Sequence, residues 1–402
     1  MEVPLLFRCP ISMELMKDPV TISTGVTYER KNIAKWLHTY KKNTCPATMQ
    51  LLESFDLTPN HTLKRLMLSW QGQTAPSSSS LGRIDDNEVV LLLRTIESTP
   101  FKVRYLKKLR LLIEEEDETG DKFMKFGGIE VLGHIIFQVL MANSDFATFC
   151  ACEEALGVLY HLPLLDAAST QLLLQPECIK SMAIMLQTGS AEARLHAVTI
   201  LKRMVKMDCT RGQVISDPDM DIFKSLLELL SDEIFTRASS CALDVLVETL
   251  VASRKNRLKA IEGGAVCVLI ELLPDANRSK CEKMLFLLKL LCECAEGRSA
   301  FADHGLAISV VVKKILCTSE LGTKLGVKIL WLVSSFLPTE RVLEDMLMFG
   351  AVKKLLGLLH MHGRSSTKDK ALKIIRLHGN SWRQYPCFPG ELKDYLISMQ
   401  DS

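Results

Sequence analysis

One short pattern, a small or apolar residue followed three and four positions later by aliphatics, returns at Ala155-Val158-Leu159, Ala197-Ile200-Leu201, Ala242-Val245-Leu246, Met284-Leu287-Leu288, Gly326-Ile329-Leu330 and Ala371-Ile374-Ile375. The steps between first residues are 42, 45, 42, 42 and 45. A second element lies between the copies: Ile179 to Leu186, Ile222 to Leu230, Ala265 to Leu273, Ile308 to Leu316 and Ala351 to Leu359. Its residues Leu186, Leu229, Leu272, Ile315 and Leu358 are spaced by a constant 43. Both elements carry apolar residues at helical spacing. A unit of this size cannot bury its apolar face alone, so consecutive units must stack on one another. A helical bundle whose Leu-rich segments are alike by chance does not account for constant steps over so many copies.

Gly127-Gly128-Ile129, Gly263-Gly264-Ala265, Gly305-Leu306 and Gly350-Ala351 introduce copies of the second element. Glycine there can end one helix in a left-handed conformation and start the next close by. This punctuation, with the all-helical period, resembles armadillo repeats. About six units fit between Asp86 and the carboxyl terminus, with the first and last irregular, as the ends of a solenoid should be. The acidic run from Glu114 to Glu118 is expected to be a solvated loop. The tail from Trp382 to Pro389, broken by Pro386 and Pro389, reads as an end cap, with partner binding as the alternative.

The text changes before the repeats. From Gln71 to Asn87 there is no periodicity, and Pro76-Ser77-Ser78-Ser79-Ser80 reads as linker. The expected domains are therefore 1–75, a linker at 76–88, and the repeats from 89 to 402. In the small first domain, Val20-Thr21-Ile22 and Val26-Thr27-Tyr28 read as strands about a Ser23-Thr24-Gly25 turn. Glu29 to Lys42 reads as an amphipathic helix with Ile33, Trp36, Leu37 and Tyr40 on one face. Thr58-Pro59 reads as the start of a closing helix with Leu63, Leu66, Met67 and Trp70 on its inner face.

Two Cys-Pro corners, Cys9-Pro10 and Cys45-Pro46, flank the hairpin in a layout similar to the two loops of a RING finger. Such a finger needs about eight Cys or His ligands in pairs. Residues 1–71 contain only Cys9, Cys45, His38 and His61, with none in a CxxC pair, so no metal and no cofactor is expected. The blocks Cys9-Pro10-Ile11-Ser12, Met16-Lys17-Asp18-Pro19-Val20, Thr27-Tyr28-Glu29-Arg30, Trp36-Leu37, Cys45-Pro46 and Leu57-Thr58-Pro59-Asn60 resemble, in order, the U-box, the metal-free relative of the RING. The fold class expected is mainly α: a small α+β U-box followed by an α-solenoid of armadillo repeats. The whole chain resembles the plant U-box, armadillo-repeat E3 ubiquitin-protein ligases.

That resemblance implies that polar side chains replace zinc, with Glu14, Asp18, Ser23, Tyr28, Glu29, Arg30 and Asn60 as candidates. For Glu29 and Arg30 a plain surface role stays open. It implies a ubiquitin-conjugating enzyme, charged with ubiquitin, docking on Ile11, Met13, Trp36, Pro46 and Met49. Core packing is the alternative for Trp36. Met49 departs from the family, many of whose members place a hydrogen-bonding residue there. Methionine cannot supply charge-assisted hydrogen bonds. The repeats would select a protein substrate, in stress or defence signalling by family association. No catalytic residue is expected on this chain, because the thioester belongs to the conjugating enzyme. Cys9 and Cys45 read as structural, since nothing nearby in sequence would activate a thiol.

Composition restricts the rivals. A net charge of +2 gives no case for nucleic acid or an anionic membrane. No run approaches about 18 uncharged apolar residues, and the amino terminus is too short an apolar run for a signal peptide. An odd count of 13 cysteines fits buried free thiols in a reducing compartment. A soluble chain in the cytoplasm, with the nucleus also open, is expected. An armadillo import receptor would repeat Trp and Asn along its inner helices, whereas beyond the U-box the only tryptophans are Trp331 and Trp382. A non-catalytic scaffold with a weak or inactive U-box is the sharper alternative, motivated by Met49.

Overall fold

The computed structural model describes residues 4–72, 86–99, 102–141, 146–163, 167–206, 222–232, 236–361, 365–385 and 388. The chain forms two compact units, Met1–Val245 and Leu246–Ser402.

In the first domain β1 (Pro19–Thr21) and β2 (Thr27–Glu29) form the expected hairpin, with Val20 opposite Tyr28. Gly25 closes the turn at φ +80°, a conformation that costs glycine little. The helix that follows is shorter than expected. α1 spans Arg30–Ala34, and the next turn, Lys35–Thr39, widens so that Tyr40 N–H reaches Lys35 O. Ile33 and Leu37 are buried while Tyr40 is 37% exposed, so the widened turn carries Tyr40 off the inner face.

Thr58-Pro59 corrects a second expectation. These residues form β3, which pairs with β1 to give the sheet order β2-β1-β3. α2 begins later (His61–Gly72), and Asn60, not Thr58, caps it by accepting from Leu63 N–H at 2.9 Å. Leu63 and Met67 face inward, whereas Leu66 is half exposed. The side chain of Trp70 lies outside the described residues, as does most of the 76–88 linker. Asp86, Asn87 and Glu88 already belong to the first helix of the repeats.

The repeats open with α3 (Asp86–Ser98), α4 (Lys102–Glu115), α5 (Asp117–Lys125), α6 (Gly128–Phe137) and α7 (Phe146–His161). They continue as α8 (Ala167–Leu173), α9 (Pro176–Thr188), α10 (Ala191–Val205), α11 (Ile222–Ser231) and α12 (Thr236–Ala252). Next come α13 (Arg254–Glu262), α14 (Ala265–Leu272), α15 (Arg278–Cys292), α16 (Ala295–Asp303), α17 (Ala307–Lys314) and α18 (Glu320–Phe336). α19 (Glu340–Met348), α20 (Ala351–His360) and α21 (Ser366–Arg383) complete them.

Every residue of the first sequence pattern is buried, on α7, α10, α12, α15, α18 and α21. The second pattern supplies α9, α11, α14, α17 and α20. Within the first unit α7 packs between α4 and α10, and within the second α18 packs between α15 and α21. Within each compact unit the triplet therefore lies on helices along which successive repeats stack.

Gly127, Gly264 and Gly350 stand at φ +84°, +84° and +78°, as the punctuation requires. Gly305 does not: Leu306 caps α17 instead, with ordinary backbone. The acidic run is also helical, split between the end of α4 and the start of α5 with only Glu116 between them, so the expected loop is absent. At the far end Trp382 is fully buried and donates its indole N–H to Leu343 O at 2.9 Å, and Phe388 is buried. The tail therefore covers the last unit, as a solenoid end must.

Candidate functional site

The two Cys-Pro corners are copies of one turn. In the first, Cys9 N–H donates to Glu14 O at 2.8 Å and Met13 N–H to Cys9 O at 2.7 Å. In the second, Cys45 N–H donates to Gln50 O at 2.8 Å and Met49 N–H to Cys45 O at 2.8 Å. Met13 and Met49, the fifth residue of each, are left-handed at φ +57° and +59°. A side-chain-bearing residue keeps that backbone only where its surroundings over-determine it. Isolated bridges, Arg8 with Leu15 and Thr44 with Leu51, close the base of each turn.

Both cysteine sulfurs are fully buried and act as hydrogen-bond hubs where a RING would place metal. Cys9 Sγ accepts from Glu29 N–H at 3.2 Å and from Asn32 Nδ2 at 3.5 Å. Cys45 Sγ accepts from Thr24 Oγ1 at 3.3 Å and lies 3.0 Å from Tyr28 Oη. Tyr28 Oη also accepts from Ala47 N–H at 3.1 Å, which leaves its own proton for the sulfur. Burial, then the bond to Cys45, pushes the Tyr28 phenol well above its usual range. Burial alone would raise the Cys45 thiol, but the bonds from Thr24, Thr48 and Tyr28 outweigh it and the thiol is lowered. The sulfur is nonetheless sealed from solvent, which denies it the access that a thioester relay needs.

Carboxylates and amides hold the loops to the hairpin. Glu29 Oε2 accepts from the backbone N–H of Lys17 at 2.7 Å and of Asp18 at 3.0 Å. Arg30 Nε meets Asp18 Oδ2 at 2.6 Å, and this bond holds the Asp18 carboxyl below its usual range. Asn60 Nδ2 bridges the hydroxyls of Thr21 and Thr27, each at 3.3 Å. Trp36 Nε1 donates to Thr44 O at 2.7 Å, tying the helical segment to the second loop.

Five of the seven polar candidates thus make hydrogen bonds, in three clusters: Asp18 with Glu29 and Arg30, Tyr28 at the Cys45 hub, and Asn60 with Thr21 and Thr27. Glu14 and Ser23 are exposed and make no side-chain hydrogen bond among the described residues. Their places are taken by Thr21, Thr24, Thr27 and Asn32, which hairpin register and helix phase bring inward. Of the docking candidates, Ile11 is 0% exposed, Met13 7% and Met49 62%. Pro46 is buried and Trp36 half-buried.

Among the described residues no three His, Cys, Asp or Glu side chains come together as a metal ion would require. Removing divalent metal should leave the melting temperature of the U-box unchanged, read by calorimetry with and without chelator; a lowered melting temperature would reveal a metal site.

A sequence profile of the U-box domain matches residues 3–75, and one described as the plant U-box protein ARM repeat region matches residues 88–396. The chain belongs to the plant U-box armadillo-repeat family. It is similar to E3 ubiquitin-protein ligase PUB23 of Arabidopsis thaliana, 37% identical over 96% of this chain and 95% of that one. E3 ubiquitin-protein ligase PUB22 of the same plant is 34% identical over 98% of both. A crystal structure of an engineered protein covers 72% of this chain and 67% of its own, with TM-score 0.52 and 17% identity, a likeness of fold alone. This U-box protein is an E3 ubiquitin-protein ligase whose U-box takes a ubiquitin-conjugating enzyme as partner and whose repeats bind substrate. Among its described residues no single helix is long and apolar enough to cross a membrane.

Proposed function

We propose that a charged conjugating enzyme is received where the two matched turns and the Trp36 segment adjoin, on Ile11, Met13, Trp36, Pro46 and Met49. The observation that carries this reading is the paired turn itself. Two loops are fixed by buried sulfur hubs, the Trp36 indole is tied to the second of them at Thr44 O, and aromatic anchors dominate protein interfaces. Ubiquitin then passes directly from the conjugating enzyme to a substrate lysine. The lysine amine attacks the thioester carbonyl, an amide forms, the cysteine thiolate of the conjugating enzyme leaves, and the amine gives up its proton. The ligase contributes proximity and orientation to this step.

Met49 bears on the rate. Its side chain is exposed at the tip of the second turn and offers no donor, so the charged enzyme's ubiquitin gains no charge-assisted hydrogen bond there. Met49→Arg should speed lysine discharge from charged conjugating enzyme roughly tenfold, in line with one added hydrogen bond to a charged group. An unchanged rate would mean that Gln50 or another neighbour already performs this role. An inactive scaffold, the second reading motivated by Met49, requires instead that neither form discharges ubiquitin. The cytoplasm is the compartment we assign, supported by the odd thiol count and the absence of disulfides among the described cysteines, and cell fractionation checks it. Stress or defence signalling, as its pathway, rests on family association, and growth of a knockout line under stress tests it.

A further inference from the structure

The buried triplet fixes what stands beside it on each helix. Two residues beyond its first position come Phe286 of α15, Lys328 of α18 and Lys373 of α21, and five residues beyond it come Lys289, Trp331 and Arg376. Positions three apart share a helix face. Because α18 packs between α15 and α21, these six side chains form two rows across three neighbouring helices of the second unit. None of the six is buried. Cations and aromatic rings alternate between the rows. Lys328 Nζ lies 4.3 Å from the centroid of the Trp331 ring, and Lys289 Nζ 5.8 Å from that of Phe286, both within reach of the ring quadrupole.

The charge of these rows is not balanced. Lys289 pairs with Glu293 at 2.6 Å, but the same carboxylate also holds Arg257 at 2.9 Å. Lys328, Lys373 and Arg376 meet no carboxylate among the described residues. Burial, then the like charge of Lys370, holds the Lys328 ammonium below its usual range; Lys289 adds to this and Glu293 opposes it. A partly buried ammonium flanked by like charges gains most from an anion that joins it. Ser335, four residues beyond Trp331 on the same face of α18, has a shielded hydroxyl with no hydrogen-bond partner. The matching rows of the first unit differ. There Gly157, Thr199 and Asp244 stand at the second place and Tyr160 and Lys202 at the fifth, and Lys202 meets Asp244 at 2.8 Å, so its charge is already answered.

We propose that the face formed by α15, α18 and α21 binds an acidic, extended segment of the protein substrate, with Asp or Glu carboxylates among Lys328, Lys373 and Arg376 and an apolar side chain beside Trp331. The proposal rests on the reading that the repeats bind substrate and names the chemistry of what they bind. Charge complementarity selects this occupant. Three residues of an extended segment span about 10 Å, close to the spacing of packed helices, so carboxylates three residues apart reach successive helices. Single-stranded nucleic acid fits less well, because it needs ring faces on which bases can stack. Lys328 and Lys289 already lie over the two rings.

Fluorescence anisotropy of the full chain with short labelled peptides tests the proposal. One peptide carries Asp and Glu around a central Leu, a second replaces the acids by Asn and Gln, and a third replaces them by Lys. The acidic peptide should bind with an affinity that falls as salt rises, and the other two should not bind. Lys328→Gln combined with Lys373→Gln should weaken binding by roughly tenfold, as for one lost hydrogen bond to a charged group. The paired Lys→Arg changes, which keep the charge, should retain binding, and helical circular dichroism should match wild type throughout. Equal binding of the acidic and neutral peptides, or undiminished binding to the folded double Gln variant, would overturn the proposal. So would single-stranded RNA that binds more tightly than the acidic peptide and is lost with the same lysines. Discharge of ubiquitin to free lysine needs no substrate site, so its absence counts against the U-box reading, whereas discharge without acidic-peptide binding counts against this one.

Discussion

Trp382→Ala should lower the local stability of the last repeat by about 3–5 kcal/mol, the range for deleting a large buried aromatic side chain. The indole is fully buried at the end of α21, and its N–H is satisfied by Leu343 O in α19 at 2.9 Å. The substitution opens a cavity and strips the carbonyl of its partner together. Repeat arrays unfold by nearest-neighbour cooperativity, so the loss concentrates at the end and spreads inward with distance. Amide hydrogen exchange should show α19 to α21 losing most of their protection while α13 and α14 keep theirs. Trp382→Phe should cost less, because the ring volume is largely kept. Uniform loss of protection across all the repeats would contradict the assignment of Trp382 as an end cap.

The second large effect belongs to Tyr28. Tyr28→Phe keeps the ring but removes the oxygen that accepts from Ala47 N–H and the proton aimed at Cys45 Sγ. Leaving buried groups without a partner costs about 1–3 kcal/mol each, against the small net gain of an ordinary hydrogen bond. The U-box should melt at a lower temperature, and lysine discharge should fall because Pro46 and Met49 ride on the turn that Ala47 belongs to. A melting temperature unchanged from wild type would show that the hub is dispensable.

The repeats were legible in the sequence because their period is long and each copy obeys the same burial requirement. A residue that must touch the next unit recurs at the same place, and the glycines at 127, 264 and 350 recur because a left-handed residue lets the next helix follow at once. Gly305 breaks the rule without any sequence mark, since Leu306 can cap α17 with ordinary backbone. The acidic run shows the opposite failure. Charge clustering argued for a loop, but a helix tolerates exposed carboxylates wherever its other face is buried.

In the U-box, block order identified the domain, yet a ligand count could not say which atoms stand in for the metal. Glu14 and Ser23 looked suitable as polar residues beside the two loops, while strand alternation and turn geometry point both outward. Thr21 and Thr27 could have been found from the hairpin register, which places them opposite each other with hydroxyls 2.8 Å apart. The equivalence of the two Cys-Pro turns was present in the spacing Cys9 to Met13 and Cys45 to Met49. What spacing could not reveal is that Met13 is buried and Met49 exposed, because burial depends on packing.

The most direct test of the account is single-turnover discharge of ubiquitin from a charged conjugating enzyme to free lysine, with the charged enzyme at saturating concentration. The full chain should accelerate discharge for at least one member of a broad enzyme panel, and Pro46→Ala should remove the acceleration while melting temperature and helical circular dichroism stay as in the wild type. No acceleration across the panel, or full activity in a folded Pro46→Ala chain, would contradict the claim that the paired turns receive the conjugating enzyme.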